Sequence, residues 1–352
     1  MTSPIRLDLV ADGAVRLALE HSLYPVAERW IPQRLGEACD APARATISVR
    51  AASVALRHPT DAPTLTLGRV AAWVKQDQER AAVVLRGAAP SSGGVLSFDP
   101  GRARLQVDPA QAADAAADLY SMLTVSAALL LASQGRALVH AAAVVAPDGG
   151  GWLLAGDARS GKSTTCATLA SAGWGYLSDD QVVLTGCGDE VEVEGWLRPF
   201  HLDREASGER REVAPAELGL GGGWRRTARL AGAIFPVVSP AEPTLLTPVS
   251  AADALARLVR QTPWLLAQRP TAPAVLALLT RAVAGGVFSL RLGSDTYRKP
   301  ARLAASLGAL DLVLIPSPQS SPPVPLSTMW RGGTTDRSFV PPSPHGGEGG
   351  RG

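Results

Sequence analysis

The chain has 352 residues, 46% hydrophobic and 19% charged, which is enough for about two globular domains with a sizeable core. Thirty-four basic against 32 acidic residues leave a net charge of +2, so nothing points to nucleic acid or a membrane as partner. Three cysteines, Cys39, Cys166 and Cys187, are too scattered for a disulfide framework or a zinc site, and a reducing cytoplasm is the compartment they suggest.

The first eight residues reach an acidic residue early and lack an apolar core, so they do not read as a signal peptide. Residues 1–110 read as an N-terminal α+β region. Residues 45–50 alternate like a half-buried strand, and 65–67, 82–85 and 95–98 are further strand candidates separated by turn clusters such as 89–94. No catalytic grouping stands out there. A structural role is favoured, with recognition of a substrate as the functional alternative. Residues 109–134 read as a helix whose apolar run, 119–132, is short for a bilayer and fits a buried position. Residues 137–146 are apolar apart from His140 and read as a central strand. A turn at 147–151 then predicts a hairpin with the strand at 152–155.

That second strand runs into Gly156-Asp157-Ala158-Arg159-Ser160-Gly161-Lys162-Ser163, which fits the phosphate-loop pattern G-x-x-x-x-G-K-[ST] at every fixed position. Thr164 opens the helix expected over 164–172, and Gly173 is its stop. Strand, glycine-rich loop and helix together aim backbone N–H groups and the positive end of a helix dipole at a polyphosphate. In such a loop Lys162 reaches the terminal phosphates of ATP and the Ser163 hydroxyl ligates Mg²⁺.

The next strand, 174–178, ends at Asp179-Asp180. Adjacent residues of a strand face opposite ways, which would split two jobs between them. One carboxylate, Asp179 or Asp180, can hold Mg²⁺, and the other can accept the proton of an attacking hydroxyl. His140, brought near by the hairpin, could stabilise charge developing on the γ-phosphate; a satisfied core histidine is the alternative. After the strand at 182–184, residues 186–226 read as a polar, glycine-rich loop region. A strand at 230–235 and two helices within 250–284 follow. Residues 316–352 are rich in Pro, Ser and Gly and read as a disordered tail.

His140, the Gly-Asp phosphate loop and Asp179-Asp180, in that order and at these spacings, resemble the catalytic domain of HPr kinase/phosphorylase, a family of kinases with a phosphoenolpyruvate-carboxykinase-like fold. The resemblance implies an α/β P-loop kinase core over 111–315 that uses Mg·ATP to phosphorylate a serine of a protein or peptide. It implies catalytic roles for His140 and Lys162, with Asp180 as general base and Asp179 beside it, and it permits a homo-oligomer. The chain departs from the family at Ala158-Arg159, where the family has Ser-Gly, and at Thr164, where it has Glu. The later Glu-Ile-Arg-Gly-Leu-Gly stretch has only a faint echo at Glu192, a weak metal candidate. A small-molecule kinase and a nucleotide-binding regulator without transfer are the competing readings.

Overall fold

The computed structural model describes residues 4–10, 12–27, 42–53, 59–76, 81–99, 101–196, 198–203, 210–220, 223–266, 269–298 and 300–308. All of them belong to the first of two compact units, Met1–Leu314 and Ile315–Gly352, so the expected disordered tail lies outside the described residues. The fold is mixed α/β: among the described residues the strands form two large sheets and a small ribbon, joined by several helices.

The first sheet contains β1 (Ile5–Asp8), β2 (Val15–Leu19), β3 (Ala45–Ala51), β4 (Leu65–Leu67), β5 (Val70–Gln76), β6 (Ala81–Arg86), β7 (Gly93–Ser97) and β8 (Arg102–Val107), in the order β1-β2-β3-β8-β7-β6-β5-β4. Parallel pairing joins β2 to β3 and β3 to β8; the other pairs are antiparallel. Alternation in the sequence sets the faces. Val15, Leu17 and Leu19 of β2 and Ala45, Ile47 and Val49 of β3 are buried on one side, as the two-residue period of a strand requires. A single turn of helix, α1 (Tyr24–Ala27), follows β2.

The long helix α2 (Ala112–Ala132) starts after a 3₁₀ turn in which the Asp108 carboxylate accepts a hydrogen bond from Ala110 N at 2.9 Å. With that turn the helix spans Pro109–Ala132, 24 residues, and is long and apolar enough to cross a membrane by length and composition. It matches the helix expected over 109–134, and its apolar stretch is longer than the run 119–132 read as short for a bilayer. In the fold it is largely buried: Leu119, Met122, Val125 and Leu129 join one apolar cluster with Ile47 and Leu105 of the first sheet and Leu138 and Val183 of the second. Each such side chain contributes about 1.5–3 kcal/mol when fully removed from water. Its one fully buried charge, Asp118, accepts hydrogen bonds from Ala89 N at 2.8 Å and Arg69 Nε at 3.1 Å.

The second sheet holds β9 (Ala137–Val145), β10 (Gly150–Ala155), β11 (Gly175–Ser178), β12 (Gln181–Cys187) and β13 (Glu190–Gly195). The ribbon pairs β14 (Phe200–Asp203) with β15 (Arg210–Val213), and the sheet resumes with β16 (Thr227–Val238), β17 (Leu245–Pro248) and β18 (Gly286–Leu292). Its order is β10-β9-β12-β13-β16-β18-β17. Because β10 also pairs with β16, strands β10, β9, β12, β13 and β16 close into a ring. The helices α3 (Lys162–Ser171), α4 (Ala251–Arg260), α5 (Ala272–Ala282), α6 (Ser294–Arg298) and α7 (Pro300–Gly308) complete the described chain.

The loop expected over 186–226 is not one. It contains β13, β14 and β15, and only part of it is turn. In β13 the residues Val191 and Val193 point into the core between Glu190, Glu192 and Glu194, an alternation that outweighs the polar composition around it.

Candidate active site

Three registers of β9 assemble the site. On one edge β9 pairs antiparallel with β10, and Ala141 lies opposite Ala155, the last residue before the glycine-rich loop. On the other edge β9 changes partner. It pairs with β12 as far as His140, opposite Gln181, and with β11 from Ala143, opposite Ser178. Asp179 and Asp180 occupy the bend between those two strands, so the register sets them opposite residues 141–142 and next to His140. The expected hairpin thus forms, and the two carboxylates follow the end of β11 as expected, in a bend to which the alternation of a strand does not extend.

The loop between β10 and α3 is tight. Ser160 N donates to Asp157 O at 3.2 Å, and Gly161 caps α3 with φ +99°. A side chain at Gly161 would strain the backbone and place its Cβ 2.6 Å from Leu292 Cδ1, so glycine is required there. Arg159 has φ +63°, a left-handed conformation that costs a non-glycine residue on the order of 1 kcal/mol. Lys162 is only 8% exposed and folds back on its own loop, donating to Gly156 O at 2.7 Å and Asp157 O at 3.0 Å. Gln261, just beyond α4, braces loop and strand together: its side chain donates to Asp157 Oδ1 at 3.2 Å and its carbonyl accepts from His140 N at 2.9 Å.

Asp180 is densely paired. His140 Nε2 lies 3.2 Å from Oδ1, and Arg198 NH1 donates to Oδ2 at 2.8 Å. The Tyr120 hydroxyl also hydrogen-bonds Oδ2 and is itself hydrogen-bonded by Arg198 and by Gln181 Nε2, the latter at 3.3 Å. The Arg198 guanidinium stacks 4.1 Å from the centre of the Tyr120 ring. Burial pushes the Asp180 carboxyl up, but the hydrogen bond from His140, the Arg198 charge and the Tyr120 hydroxyl outweigh it and hold the group well below the usual carboxylate range. Burial, reinforced by the Asp180 charge, raises Tyr120 above an ordinary phenol, so it stays a donor.

Asp179 faces the other way. It is 3% exposed; Oδ2 accepts from His201 N at 3.1 Å, whereas Oδ1 is buried without a hydrogen-bond partner among the described residues. The His201 ring lies between two carboxylates, Nδ1 3.6 Å from Asp179 and Nε2 3.6 Å from Glu212 on β15. Cys166, beneath the site on α3, has its thiol pushed well up by burial and then by Asp179, which leaves it unreactive.

These groups surround one cavity of about 860 Å³. Its lining includes Ala158, Arg159, Gly161, Lys162, Ser163 and Thr164 of the loop and helix, together with His140, Asp179 and Asp180. No protein-family model matches the chain, and no curated protein matches it. Among solved structures it is similar to the Hpr(Ser) kinase/phosphatase from Coxiella burnetii, at 14% identity and a TM-score of 0.29, over 50% of this chain and 97% of that one. A likeness that loose carries no argument about fold or chemistry, so the site's own residues must support any functional reading.

Of the sequence-selected residues, Gly156, Asp157 and Ser160 shape the loop from behind without lining the cavity. Glu192 lies in mid-β13, opposite Thr185 and Arg229, and is not among the cavity's residues. Sequence reading missed Tyr120, Arg198, Gln181, Gln261 and His201. It also missed Trp264, whose buried indole N–H has no partner among the described residues and which lines the cavity with Arg260. Leu67 and Gly68, from the β4–β5 turn of the first sheet, form part of the same wall.

Proposed function

We propose that this cavity binds Mg·ATP and transfers the γ-phosphate to a hydroxyl, a serine of a protein or peptide, in the manner of an HPr-kinase-like enzyme of the phosphoenolpyruvate-carboxykinase-like type working in the cytoplasm. One observation carries the reading. His140 and Asp180 are paired at 3.2 Å in the same cavity as Lys162 and Ser163, at the N-terminus of α3. A loop alone holds phosphate. A carboxylate and an imidazole facing it supply what transfer to a hydroxyl needs.

The residues fit a magnesium ion. The buried Asp179 Oδ1 lacks a partner among the described residues, and Asp179 and Ser163 line the same cavity. Among the described residues no group of three or more His, Cys, Asp or Glu gathers as a metal site, which suits an ion that takes one or two protein oxygens and completes its shell with water and phosphate. Bound there by Ser163 and Asp179, the ion would neutralise phosphate charge.

Lys162 leaves its loop carbonyls for the phosphates and holds them in line with the acceptor. The acceptor oxygen attacks the γ-phosphorus, the bond to ADP breaks, and the hydroxyl proton passes to Asp180. The low proton affinity of Asp180 makes it a weak base, suited to orienting the hydroxyl and taking the proton late, as a loose transition state allows. His140 stabilises charge on the transferring group. Leu67 and Gly68 make the first sheet a wall of the acceptor's approach.

The same ion pairs favour a second reading, a protein that holds nucleotide without transfer, because Asp180 is fully engaged by its neighbours. One experiment separates the two. Wild type incubated with γ-labelled ATP and cell extract should label a protein or peptide on serine. Asp180→Asn should lower that labelling by at least about 10²-fold while nucleotide affinity stays near wild type. Equal labelling by both proteins overturns the base assignment, and no labelled product from wild type supports the nucleotide-holding reading.

A further inference from the structure

Arg159 is the one non-glycine residue with positive φ among the described residues, at +63°. It occupies the crest of the glycine-rich loop, and its exposed side chain lines the cavity beside Lys162, Ser163, His140 and Asp180. The turn is closed around it by the hydrogen bond from Ser160 N to Asp157 O and by Lys162, which ties down the carbonyls of Gly156 and Asp157. Glycine would adopt this conformation without strain, so the fold by itself gives no reason for arginine. Strain of this kind is retained at functional positions, where the side chain supplies something the backbone does not need.

The charges around the cavity indicate what that is. Lys162 is held by loop carbonyls, Arg198 is committed to Asp180 and Tyr120, and Arg260 lines the cavity from the end of α4 rather than from the loop. Arg159 forms neither ion pair nor hydrogen bond with any described residue, although its guanidinium lies on the loop that receives phosphate. A guanidinium offers two parallel donors to two oxygens of one phosphoryl group, which an ammonium cannot do.

We infer that Arg159 is a second phosphate-binding cation of the loop, built to contact the terminal phosphoryl group of a nucleoside triphosphate. The inference rests on the reading of the cavity as a nucleotide-dependent kinase site. It makes the loop sense its ligand twice: the backbone N–H groups and Lys162 hold di- and triphosphate alike, Lys162 reaching on to the third phosphate when it is there, and Arg159 adds a contact that only the third phosphate makes.

The test needs no acceptor. ATP and ADP affinities are measured by calorimetry with Mg²⁺ for wild type, Arg159→Gly, Arg159→Lys and Lys162→Ala, with thermal unfolding of each protein free of nucleotide. Arg159→Gly should weaken ATP about tenfold, the loss of a charge-assisted pair, and change ADP less than about twofold. It should unfold at the same temperature as wild type or higher, because the left-handed position is relaxed. Arg159→Lys should fall between glycine and wild type, and Lys162→Ala should weaken both nucleotides. If Arg159→Gly weakens neither nucleotide, or weakens both equally, while Lys162→Ala weakens both, the role of Arg159 is wrong and the nucleotide site stands. If wild type binds neither nucleotide, both fall together.

Discussion

Asp180 and Asp179 are consecutive in sequence and opposite in circumstance. Asp180 is surrounded by donors, with a guanidinium, an imidazole and a phenol converging on its two oxygens. Asp179 is more deeply buried, yet one of its oxygens has no donor among the described residues. Burying a carboxylate oxygen without a partner costs free energy, a cost that the proposed magnesium would offset. The contrast teaches that two consecutive carboxylates can differ sharply: the fold itself supplies the counter-charge of Asp180, whereas Asp179 keeps an oxygen that the proposed magnesium would engage.

The strongest way to break that contrast is to dismantle the Asp180 side. Arg198 is 2% exposed on its side chain, and Arg198→Met would leave Asp180 without its main counter-charge. Stability should fall by about 3 kcal/mol, the lower range for breaking a buried pair, since His140 and Tyr120 remain; chemical denaturation checks it. The pH dependence has a definite sign. Asp180 has its carboxyl depressed in the folded state from the ordinary 3.8, so its contribution is fully present above that value and is lost as pH falls through it towards the lower native value. Unfolding free energy measured from about pH 5 down to about pH 2 should therefore decline in wild type and decline less in Arg198→Met.

Asp179→Asn tests the incomplete side. The fold should hold, because the amide can still accept from His201 N, but the Mg²⁺ needed for half-maximal nucleotide binding should rise about 10–100-fold. An unchanged magnesium requirement would place the ion elsewhere. Tyr120→Phe removes a donor from Asp180 and leaves the ring stacked on Arg198; about 1.5 kcal/mol of stability should go, read from the same denaturation curves. The smallest change expected is Gln261→Ala, which cuts the side-chain hydrogen bond to Asp157 and keeps the backbone bond to His140. A loss of about 0.5–1 kcal/mol is anticipated, with amide exchange rising in the loop and not in β9.

Legibility in the sequence followed the range of the interactions. The strand, loop and helix around Lys162 are local, and the pattern and its flanks predicted them; so did the hairpin of β9 and β10, which spans a short turn. His140 and the carboxylates could be proposed as neighbours, although what unites them is the partner change along one edge of β9, which no spacing reveals. Tyr120 and Arg198 reach Asp180 from 60 positions before and 18 after, one on a helix and one between strands. Their chemistry is ordinary until the fold brings them together. The β13 alternation was present in the sequence as Glu190-Val191-Glu192-Val193-Glu194 and was hidden by the glycine-rich residues that follow.

The inward-folded lysine has a consequence for what the loop can accept. The Lys162 ammonium is solvated by main-chain oxygens in place of water, so any ligand that recruits it competes with the protein's own carbonyls. A neutral molecule or a lone hydroxyl offers less than two carbonyls do and leaves the lysine where it is. A group carrying several negative charges offers more and draws it outward. On the proposed reading, the carbonyls of Gly156 and Asp157 therefore favour a multiply charged ligand over a neutral one.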